Sequence, residues 1–246
     1  MLIALMADIH ANREALEACL RDAEARGVMK FVFLGDFVGY GADPVWVVDT
    51  VMGLVAGGAS ALMGNHDNAV SDLRESLTTE AQIAMSWTRG ELGPNAREFL
   101  ANLPMRIEDE TRLYVHANLQ SDRRWLYIND RNAASRALQA RQAQAVFCGH
   151  VHVPAIYGIN ANEQLVAFQP VSGVAVPLPP YRRWLAVLGA VGQPRDGNPA
   201  ASYALLDTKK AEITYLRVPY DIEATAAKIR KAGLPDSLAA RLQRGH

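Results

Sequence analysis

The N-terminal part of this 246-residue chain alternates between two kinds of apolar segment, and few folds accommodate that order. Short apolar runs occupy Leu2–Ala7, Val28–Leu34 and Ala59–Met63, and apolar residues recur at helical spacing in Ala11–Arg26 and Val45–Ala56. Strands that alternate with helices are joined by crossovers and pair in parallel, so the helices cover the sheet. The sequence therefore predicts an α/β protein.

The segment 68–104 interrupts this alternation. Thr79 and Gln82 have the spacing of a capping box ahead of one helix, and Pro94 stands near the start of a second. We therefore expect a helical insert over about residues 68–104.

The remaining chain predicts more strands and a helical end. Arg112–Val115 and Ala145–Cys148 are predicted strands on either side of a helix near Asp130–Gln142. From Gln164 onward, short apolar runs separated by Gly, Pro and Asp predict a second, mostly antiparallel sheet. We expect one domain over residues 1–220, with two short helices in 221–246 packed on it as a C-terminal extension.

Charge and cysteine content exclude several classes of protein. The 25 Lys and Arg residues against 26 Asp and Glu give a net charge of −1, which argues against specific nucleic-acid binding through a broad basic surface. Two cysteines cannot build a disulfide framework, and no apolar run reaches the roughly 18 residues of a membrane span. We expect a soluble cytoplasmic protein with no membrane partner.

Five of the six histidines directly follow predicted strands: His10, His66, His116, His150 and His152. A lone histidine is usually an ordinary polar residue, but the carboxyl ends of strands in an open α/β sheet converge on one crevice. Histidines gathered there beside carboxylates predict a metal site.

Oxygen ligands accompany these histidines at the same strand ends. Asp8 lies two residues before His10, so the two side chains point the same way in an extended segment. The full candidate set is Asp8, His10, Asp36, Asn65, His116, His150 and His152. This set exceeds the positions around one ion and suits two divalent ions that share a carboxylate. Nitrogen and oxygen ligands argue against a sulfur-bound structural zinc and leave Mn, Fe, Zn and Ni open as the metal.

The same residues fall into five ordered blocks: Asp8-x-His10, Gly35-Asp36-x-x-x-Tyr40-Gly41, Gly64-Asn65-His66-Asp67, Val115-His116 and Gly149-His150-x-His152. In this order the blocks resemble those of the calcineurin-like metallophosphoesterase superfamily, in the version of its small prokaryotic phosphodiesterase branch. The resemblance covers about residues 1–220. It implies a four-layer α/β/β/α sandwich of two mixed sheets, with both metal ions at one end of the sheets.

The resemblance also implies a role for each residue. One transition-metal ion would be held by Asp8, His10, Asp36 and His152, and the other by Asp36, Asn65, His116 and His150. Asp36 would bridge the two ions, and a hydroxide bridging the metals would attack phosphorus in line. The catalytic residues would be His66, which stands over the substrate, and Asp67, which orients His66.

Three departures from the family pattern bear on the substrate. Ala7 and Ala11 stand where the family commonly has Ser and Gly, respectively. In the loop 187–197, Val187, Leu188 and Ala190 stand where the family usually has Asn, Pro and Ser, respectively. We expect the altered loop to lack polar groups near the site.

Candidate substrate contacts come from three places in the chain. Arg195, in the altered loop, is a candidate phosphate contact, and Tyr40 of the second block is another candidate. The residues that could line a substrate wall follow His116 closely: Arg123, Arg124, Trp125 and Tyr127.

The leading interpretation is a phosphoric ester hydrolase, with manganese among its candidate metals, that cleaves a phosphodiester in a small phosphorylated substrate. A phosphomonoesterase and a dinucleoside polyphosphate hydrolase are alternatives in the same class. A catalytically silent protein-interaction scaffold is the alternative from a different class. The chain has neither a P-loop nor a G-x-S-x-G elbow, which disfavours nucleotide-binding P-loop enzymes and serine hydrolases.

Overall fold

The computed structural model describes residues 1–109, 111–118, 125–140 and 143–246. In these ranges the helices are α1 Arg13–Ala25, α2 Pro44–Ala56, α3 Asn65–Ser71, α4 Thr79–Glu91, α5 Pro94–Ala101, α6 Arg131–Ala140, α7 Ile222–Lys231 and α8 Asp236–Arg244. The strands are β1 Leu2–Met6, β2 Lys30–Phe33, β3 Ser60–Ala61, β4 Arg106–Asp109, β5 Arg112–Val115, β6 Ala145–Cys148, β7 Ala155–Asn160, β8 Leu165–Phe168, β9 Ala175–Pro177, β10 Arg182–Val187, β11 Ala201–Asp207 and β12 Glu212–Val218.

The described strands form two mixed sheets of six strands each. The first sheet has the order β3-β2-β1-β11-β12-β9, and the second has the order β4-β5-β6-β10-β7-β8. Strands β1, β2 and β3 pair in parallel, as their alternation with helices predicts, while β11 joins β1 in antiparallel. The predicted α/β class is confirmed.

Side chains alternate along β1, so this strand contributes to two separate cores. Ile3 and Leu5 pack between the two sheets, whereas Ala4 and Met6 pack against α1 and α2. The outer face of the second sheet packs on α6 in a third cluster that includes Cys148. The layers therefore run helix, sheet, sheet, helix, which confirms the four-layer α/β/β/α sandwich.

The strands after Gln164 do not form a sheet of their own, and this part of the sequence prediction is wrong. β8 and β10 belong to the second sheet, whereas β9, β11 and β12 belong to the first. Most of them pair antiparallel as expected, but β10 pairs in parallel with β6. An apolar run indicates that a strand forms, and the choice of sheet depends on partners far away in sequence.

Three strands were not predicted from the sequence: β4, β7 and β9. β4 and β9 lie at the edges of their sheets; β4 carries one apolar residue, Ile107, and β9 is only three residues long. In β7 the apolar run is interrupted by Gly158, where a Cβ would come 2.6 Å from the Trp184 ring on the neighbouring strand. The glycine therefore weakens the strand signal while making room for the indole.

The predicted insert contains most of α3 and all of α4 and α5. Helix α3 begins earlier than expected, at Asn65, which places part of the third sequence block on its first turn. The cap of α4 is Thr78, whose side chain accepts from the Ala81 amide, and not the expected Thr79. Met85 and Leu100 join the core cluster between the first sheet and its helices, so the insert packs on this layer.

The C-terminal helices α7 and α8 pack on the same body as the preceding residues. Ala226 and Leu238 share a buried cluster with Tyr40 and Ala84. The Lys228 ammonium adds ion pairs to carboxylates near the starts of α1 and α2, Glu14 and Asp43. Within the described ranges, none of the helices combines the length and the apolar character that a membrane crossing requires.

Candidate metal centre and active site

The candidate ligands lie beyond the carboxyl ends of strands, where the backbone turns sharply. Asp8, His10, Asp36, His150 and His152 have φ angles between 49° and 69°, in the left-handed region. This conformation is unfavourable for residues with a Cβ and persists where surrounding contacts enforce it. One such contact joins the first two loops, because the His10 amide donates to the Asp36 carbonyl at 2.9 Å. The fold thus accepts backbone strain to aim these side chains at one place.

Two groups of donor atoms meet at this place, and a third group, formed by His10, Asp36 and His66, overlaps the two. Ligand atoms of Asp8, His10 and His152 lie within 4.8 Å of one another, and so do those of Asp36, His116 and His150. The seventh candidate, Asn65, places its Oδ1 atom 3.2 Å from the His116 Nε2 atom. All seven side chains belong to buried residues. The structure therefore brings together every candidate ligand identified in the sequence.

Backbone carbonyls fix the orientation of the histidine rings. Three rings donate Nδ1–H to a carbonyl: His10 to Val38 at 3.2 Å, His116 to Leu34 at 2.7 Å and His152 to Gln193 at 2.6 Å. A proton on Nδ1 leaves the Nε2 lone pair for the centre, which is how metal-binding histidines are usually held. His150 is reversed, because its Nε2 atom donates to the Trp125 carbonyl at 2.9 Å and its Nδ1 atom stays available.

The distances between the donor atoms show whether divalent cations fit this site. The Nε2 atoms of His10 and His152 lie 3.2 Å apart with both protons on the far side of the rings, so two lone pairs face each other. Asp8 Oδ1 lies 3.3 Å from the same His152 Nε2 atom. Buried acceptors facing acceptors are unfavourable unless a cation lies between them. Nitrogen and carboxylate oxygen donors suit divalent transition metals, so the residues present fit such ions.

The charge states of His10 and His150 agree with this fit. Burial lowers the pKa of His10 well below its ordinary value and lowers the pKa of His150 to about 3. Burial acts in the same direction on His116, but the Asp36 carboxylate outweighs it and raises the pKa to about 9. The neutral imidazole is the form that binds metal, so His10 and His150 are already in that form at pH 7.

His66 lies beside the candidate ligands, but its Nδ1 atom does not donate to a described backbone carbonyl as nitrogen atoms of the ligand rings do. Its ring is 4.8 Å from the His10 ring and 4.6 Å from the Tyr40 ring, centroid to centroid. Its Nδ1 atom is buried and has no hydrogen-bond partner among the described residues. A Cβ on Gly39 would come 2.3 Å from this atom, so a glycine is needed to admit the ring. Burial lowers the pKa of His66 to about 4.

Asp67 does not orient His66, contrary to the expectation from the sequence. Its carboxylate accepts three backbone N–H groups: Asp36 at 2.8 Å, Phe37 at 2.9 Å and Gly64 at 2.9 Å. These bonds hold the loop that carries Asp36, whose Oδ1 atom in turn accepts the His66 amide at 2.8 Å. Asp67 is therefore a positioning residue for the Asp36 loop.

A cavity of about 340 Å³ is lined by four of the candidate ligands, Asp36, Asn65, His150 and His152. Both candidate substrate contacts line it, and the Arg195 guanidinium lies 5.7 Å from the centre of the Tyr40 ring. Trp125 and Tyr127 also line it, and Tyr127 stacks on His150 with ring centres 4.2 Å apart. Arg123 and Arg124, the other two residues of the expected substrate wall, fall outside the described residues.

The altered loop has a different role from the one its sequence suggested. Leu188 packs in the core between the sheets, and Ala190 is fully buried, so neither substitution removes a polar group from the cavity. Gly192 approaches Ile9 so closely that a Cβ would come 1.8 Å from its carbonyl oxygen. The loop thus packs against the first sequence block and presents the Gln193 carbonyl to His152.

Two kinds of group in this site are not predicted from the sequence. The carbonyls of Gln193, Val38 and Leu34 are backbone groups, so the type of side chain at these positions does not indicate that they bind a histidine. Glu75 and Leu77 line the cavity from the segment between α3 and α4, which carries no recognisable motif. Only the packing of this segment over the strand ends shows that it belongs to the site.

The sandwich and its centre define a class of enzyme, the metal-dependent phosphoesterases, and sequence comparison agrees. Residues 1–211 match the calcineurin-like phosphoesterase superfamily domain. The chain belongs to this superfamily. Membership implies hydrolysis of phosphoric esters in small phosphorylated substrates with divalent metal ions.

Similar proteins cover the whole chain. A metallophosphoesterase from Sphaerobacter thermophilus is 37% identical, with a TM-score of 0.88 over 100% of this chain and 99% of that one. An uncharacterized protein from Methanocaldococcus jannaschii is 34% identical over 98% of this chain and 97% of its own length. A hypothetical protein from Pyrococcus horikoshii has a TM-score of 0.80 over 100% of this chain and 98% of its own, at 18% identity, and shows the same fold.

Proposed function

We propose that this protein is a phosphodiesterase that works with two divalent metal ions. The observation that carries the proposal is the position of Asp36 between the two donor groups. Its Oδ2 atom lies 3.3 Å from His116 Nε2 on one side and 3.7 Å from His10 Nε2 on the other. A single carboxylate oxygen that faces both groups is suited to bridging two cations.

Each ion would take four of the candidate ligands. The first would be held by Asp8, His10, Asp36 and His152, and the second by Asp36, Asn65, His116 and His150. Two bound ions would lower the pKa of a shared water, polarise the phosphoryl oxygens and offset charge on the attacking and leaving oxygens. Manganese is our first choice among Mn, Fe, Zn and Ni, a set that these ligands distinguish poorly.

His66 would act on the leaving group. At pH 7 its pKa of about 4 makes the imidazole of the free protein neutral, and a neutral imidazole still donates one hydrogen bond. A bound phosphate anion beside the ring favours the protonated form, which can transfer a proton to the leaving oxygen. The lining of the cavity and the unpartnered Nδ1 atom support this role.

The charges around the cavity favour a diester over a monoester. Arg195 is the one arginine among the described lining residues, and its Nη2 atom already donates to Gln193 Oε1 at 2.9 Å. A monoester dianion carries an additional charge that benefits from a bidentate arginine clamp, which the second sequence block lacks. A monoesterase, a dinucleoside polyphosphate hydrolase and a silent scaffold are the alternatives, and the complete ligand set disfavours the scaffold.

The test combines metal binding with turnover. Metal-free protein is titrated with Mn²⁺, Fe²⁺, Zn²⁺ or Ni²⁺, and hydrolysis of bis(p-nitrophenyl) phosphate and p-nitrophenyl phosphate is followed for each loaded form. We expect two ions per chain and a higher kcat/KM for the diester. Saturation at one ion would contradict the binuclear centre, and a monoester preference with every metal would contradict the phosphodiesterase. Metal binding without turnover of either ester would favour the scaffold.

The two cysteines bear on the compartment. Cys19 and Cys148 are free and buried in different core clusters, which suits a reducing compartment, and we propose the cytoplasm as the location.

A further inference from the structure

A second cavity of about 790 Å³ adjoins the one that contains the candidate ligands. The two cavities share three lining residues, Glu75, Ser76 and Trp125. The second cavity contains none of the candidate metal ligands among its described lining residues. It is therefore an extension of the cleft beyond the reacting centre.

Trp125 forms the boundary between the cavities and is held from both sides. Its indole Nε1–H donates to Glu75 Oε2 at 3.0 Å, and the same oxygen accepts from the Asn68 amide at 2.8 Å. Its backbone carbonyl accepts from His150, and its ring meets the His116 ring edge-on at 5.7 Å. A group that extends past Trp125 thus leaves the metal centre and enters the second cavity directly.

The lining of the second cavity favours one chemical type of ligand group. Apolar side chains from Met63, Leu103 and Met105 form one part of it. Among the described lining residues, the charged ones are two carboxylates and one arginine, and the Arg74 guanidinium is paired with Asp72 at 2.9 Å. The apolar side chains favour an aromatic or aliphatic group, whereas a further anion meets one more carboxylate than arginine in the described part of the lining.

We propose that the second cavity receives one ester arm of the phosphodiester, and that this arm is bulky, largely apolar and uncharged. The inference rests on the proposed phosphodiesterase function and adds the substrate class. The proposal favours a diester with a neutral arm over a polyphosphate, because the neighbouring phosphates of a polyphosphate would carry negative charge into the second cavity. Trp125 lines both cavities and is the residue that this arm must pass.

The test measures competitive inhibition of bis(p-nitrophenyl) phosphate hydrolysis by the Mn²⁺-loaded full chain. The inhibitors are dimethyl phosphate, methyl phenyl phosphate and methyl 4-carboxyphenyl phosphate, which differ in one arm. We expect the phenyl compound to bind about tenfold more tightly than the dimethyl compound, because a buried ring gains apolar contact. The carboxylate should remove most of that advantage.

Two variants assign the effect to the second cavity. Ala101→Trp fills it from the exposed end of α5 and should reduce the phenyl advantage to about threefold or less. Ala25→Trp, at the exposed end of α1 and outside the cavity, should keep the parent ratio. Asp72→Asn should reduce the penalty of the carboxyphenyl arm and gives a second test if the tryptophan variant does not fold.

The outcomes separate the two proposals. Equal inhibition by the dimethyl and phenyl compounds, or an advantage that Ala101→Trp leaves unchanged, would overturn the subsite while turnover of the diester continued. Absence of diester hydrolysis with every metal would instead overturn the proposed function and with it the subsite.

Discussion

The Nε2 atoms of His10 and His152 lie 3.2 Å apart, and carbonyl groups on the far side of each ring hold their protons away from this contact. Two lone pairs are therefore brought together in a buried place. Folding accepts this cost only if another part of the free energy offsets it. A bound cation removes the repulsion, so ion binding and folding should be coupled.

Removal of divalent ions should lower the stability of the protein. An ion present at about 1,000 times its Kd stabilises the folded state by roughly 4 kcal/mol, provided that it does not bind the unfolded chain. We expect Tm to fall when a chelator is added and to recover with excess Mn²⁺. Thermal unfolding followed by circular dichroism measures both. An unchanged Tm after complete metal removal, verified by elemental analysis, would contradict the coupling.

Asp36→Asn should be the most damaging change of a single ligand. The amide keeps an oxygen for the His66 N–H group but removes the charge that faces both donor groups. We expect the loss of at least one ion per chain and a fall in turnover larger than the roughly 10–100-fold typical of lost outer partners. Elemental analysis and diester hydrolysis measure the two effects. Asp49→Asn, at an exposed position on α2, is the matched control, and near-normal turnover with both ions in Asp36→Asn would remove Asp36 as the bridge.

His66→Ala should separate turnover from metal content. The ring lies beside the candidate ligands but is not needed to complete either set, so we expect the parent number of ions. Turnover should fall by at least about a hundredfold, since positioned proton transfer contributes roughly 10²–10⁴-fold. The loss should be smaller for a p-nitrophenolate leaving group than for an alkoxide, because the former needs less help. A missing ion would make His66 a ligand, and unchanged rates on both esters would exclude it from the mechanism.

Asp67→Asn should destabilise the protein even without metal. Both carboxylate oxygens accept backbone N–H groups, and an amide replaces one acceptor by a donor that faces another donor. A buried donor left without an acceptor costs about 1–3 kcal/mol, so the free energy of unfolding should fall by at least this much. Urea unfolding of the metal-free protein measures it. A loss confined to catalysis, at the parent stability, would restore the role of orienting His66.

The contact between α1 and β11 should make stability depend on pH. Burial alone would raise the pKa of Asp22, but hydrogen bonds from Arg26 and the Tyr203 hydroxyl outweigh it and lower the pKa below its ordinary value of 3.8. A lowered carboxyl pKa stabilises the folded state above about pH 3.8, and this contribution is lost as the pH falls through the lower, folded value. Asp22→Asn should therefore cost roughly 1 kcal/mol at pH 7 and less at pH 3.5.

Urea unfolding of the parent and of Asp22→Asn at both pH values checks this prediction, with Asp49→Asn as the control for removing a carboxylate elsewhere. An equal difference between parent and Asp22→Asn at the two pH values would mean that the charge of Asp22 contributes nothing to the contact.

The sequence determined the class of fold and the set of candidate ligands because both leave local signals. The alternation of apolar runs in residues 1–63 is created by strands and helices that bury one side each, and β1, β2 and β3 occur in that order. Histidines and carboxylates directly after strands are visible for the same reason, since a strand end is a local feature. Pro94 likewise marks the first residue of α5.

Only the tertiary structure decided which sheet each later strand joins and what each polar group contacts. β10 finds its parallel partner β6 and its antiparallel partner β7 through closure of the whole sandwich, which no apolar run encodes. The His116 ring is oriented by the carbonyl of Leu34, 82 residues earlier in the chain, and every residue has such a carbonyl. Asp67 has the right position to serve His66, yet its carboxylate turns to backbone N–H groups, because buried amides must be hydrogen-bonded. Any residue can supply a backbone carbonyl or N–H group, so residue type does not identify these long-range partners. They are seen only in the folded structure.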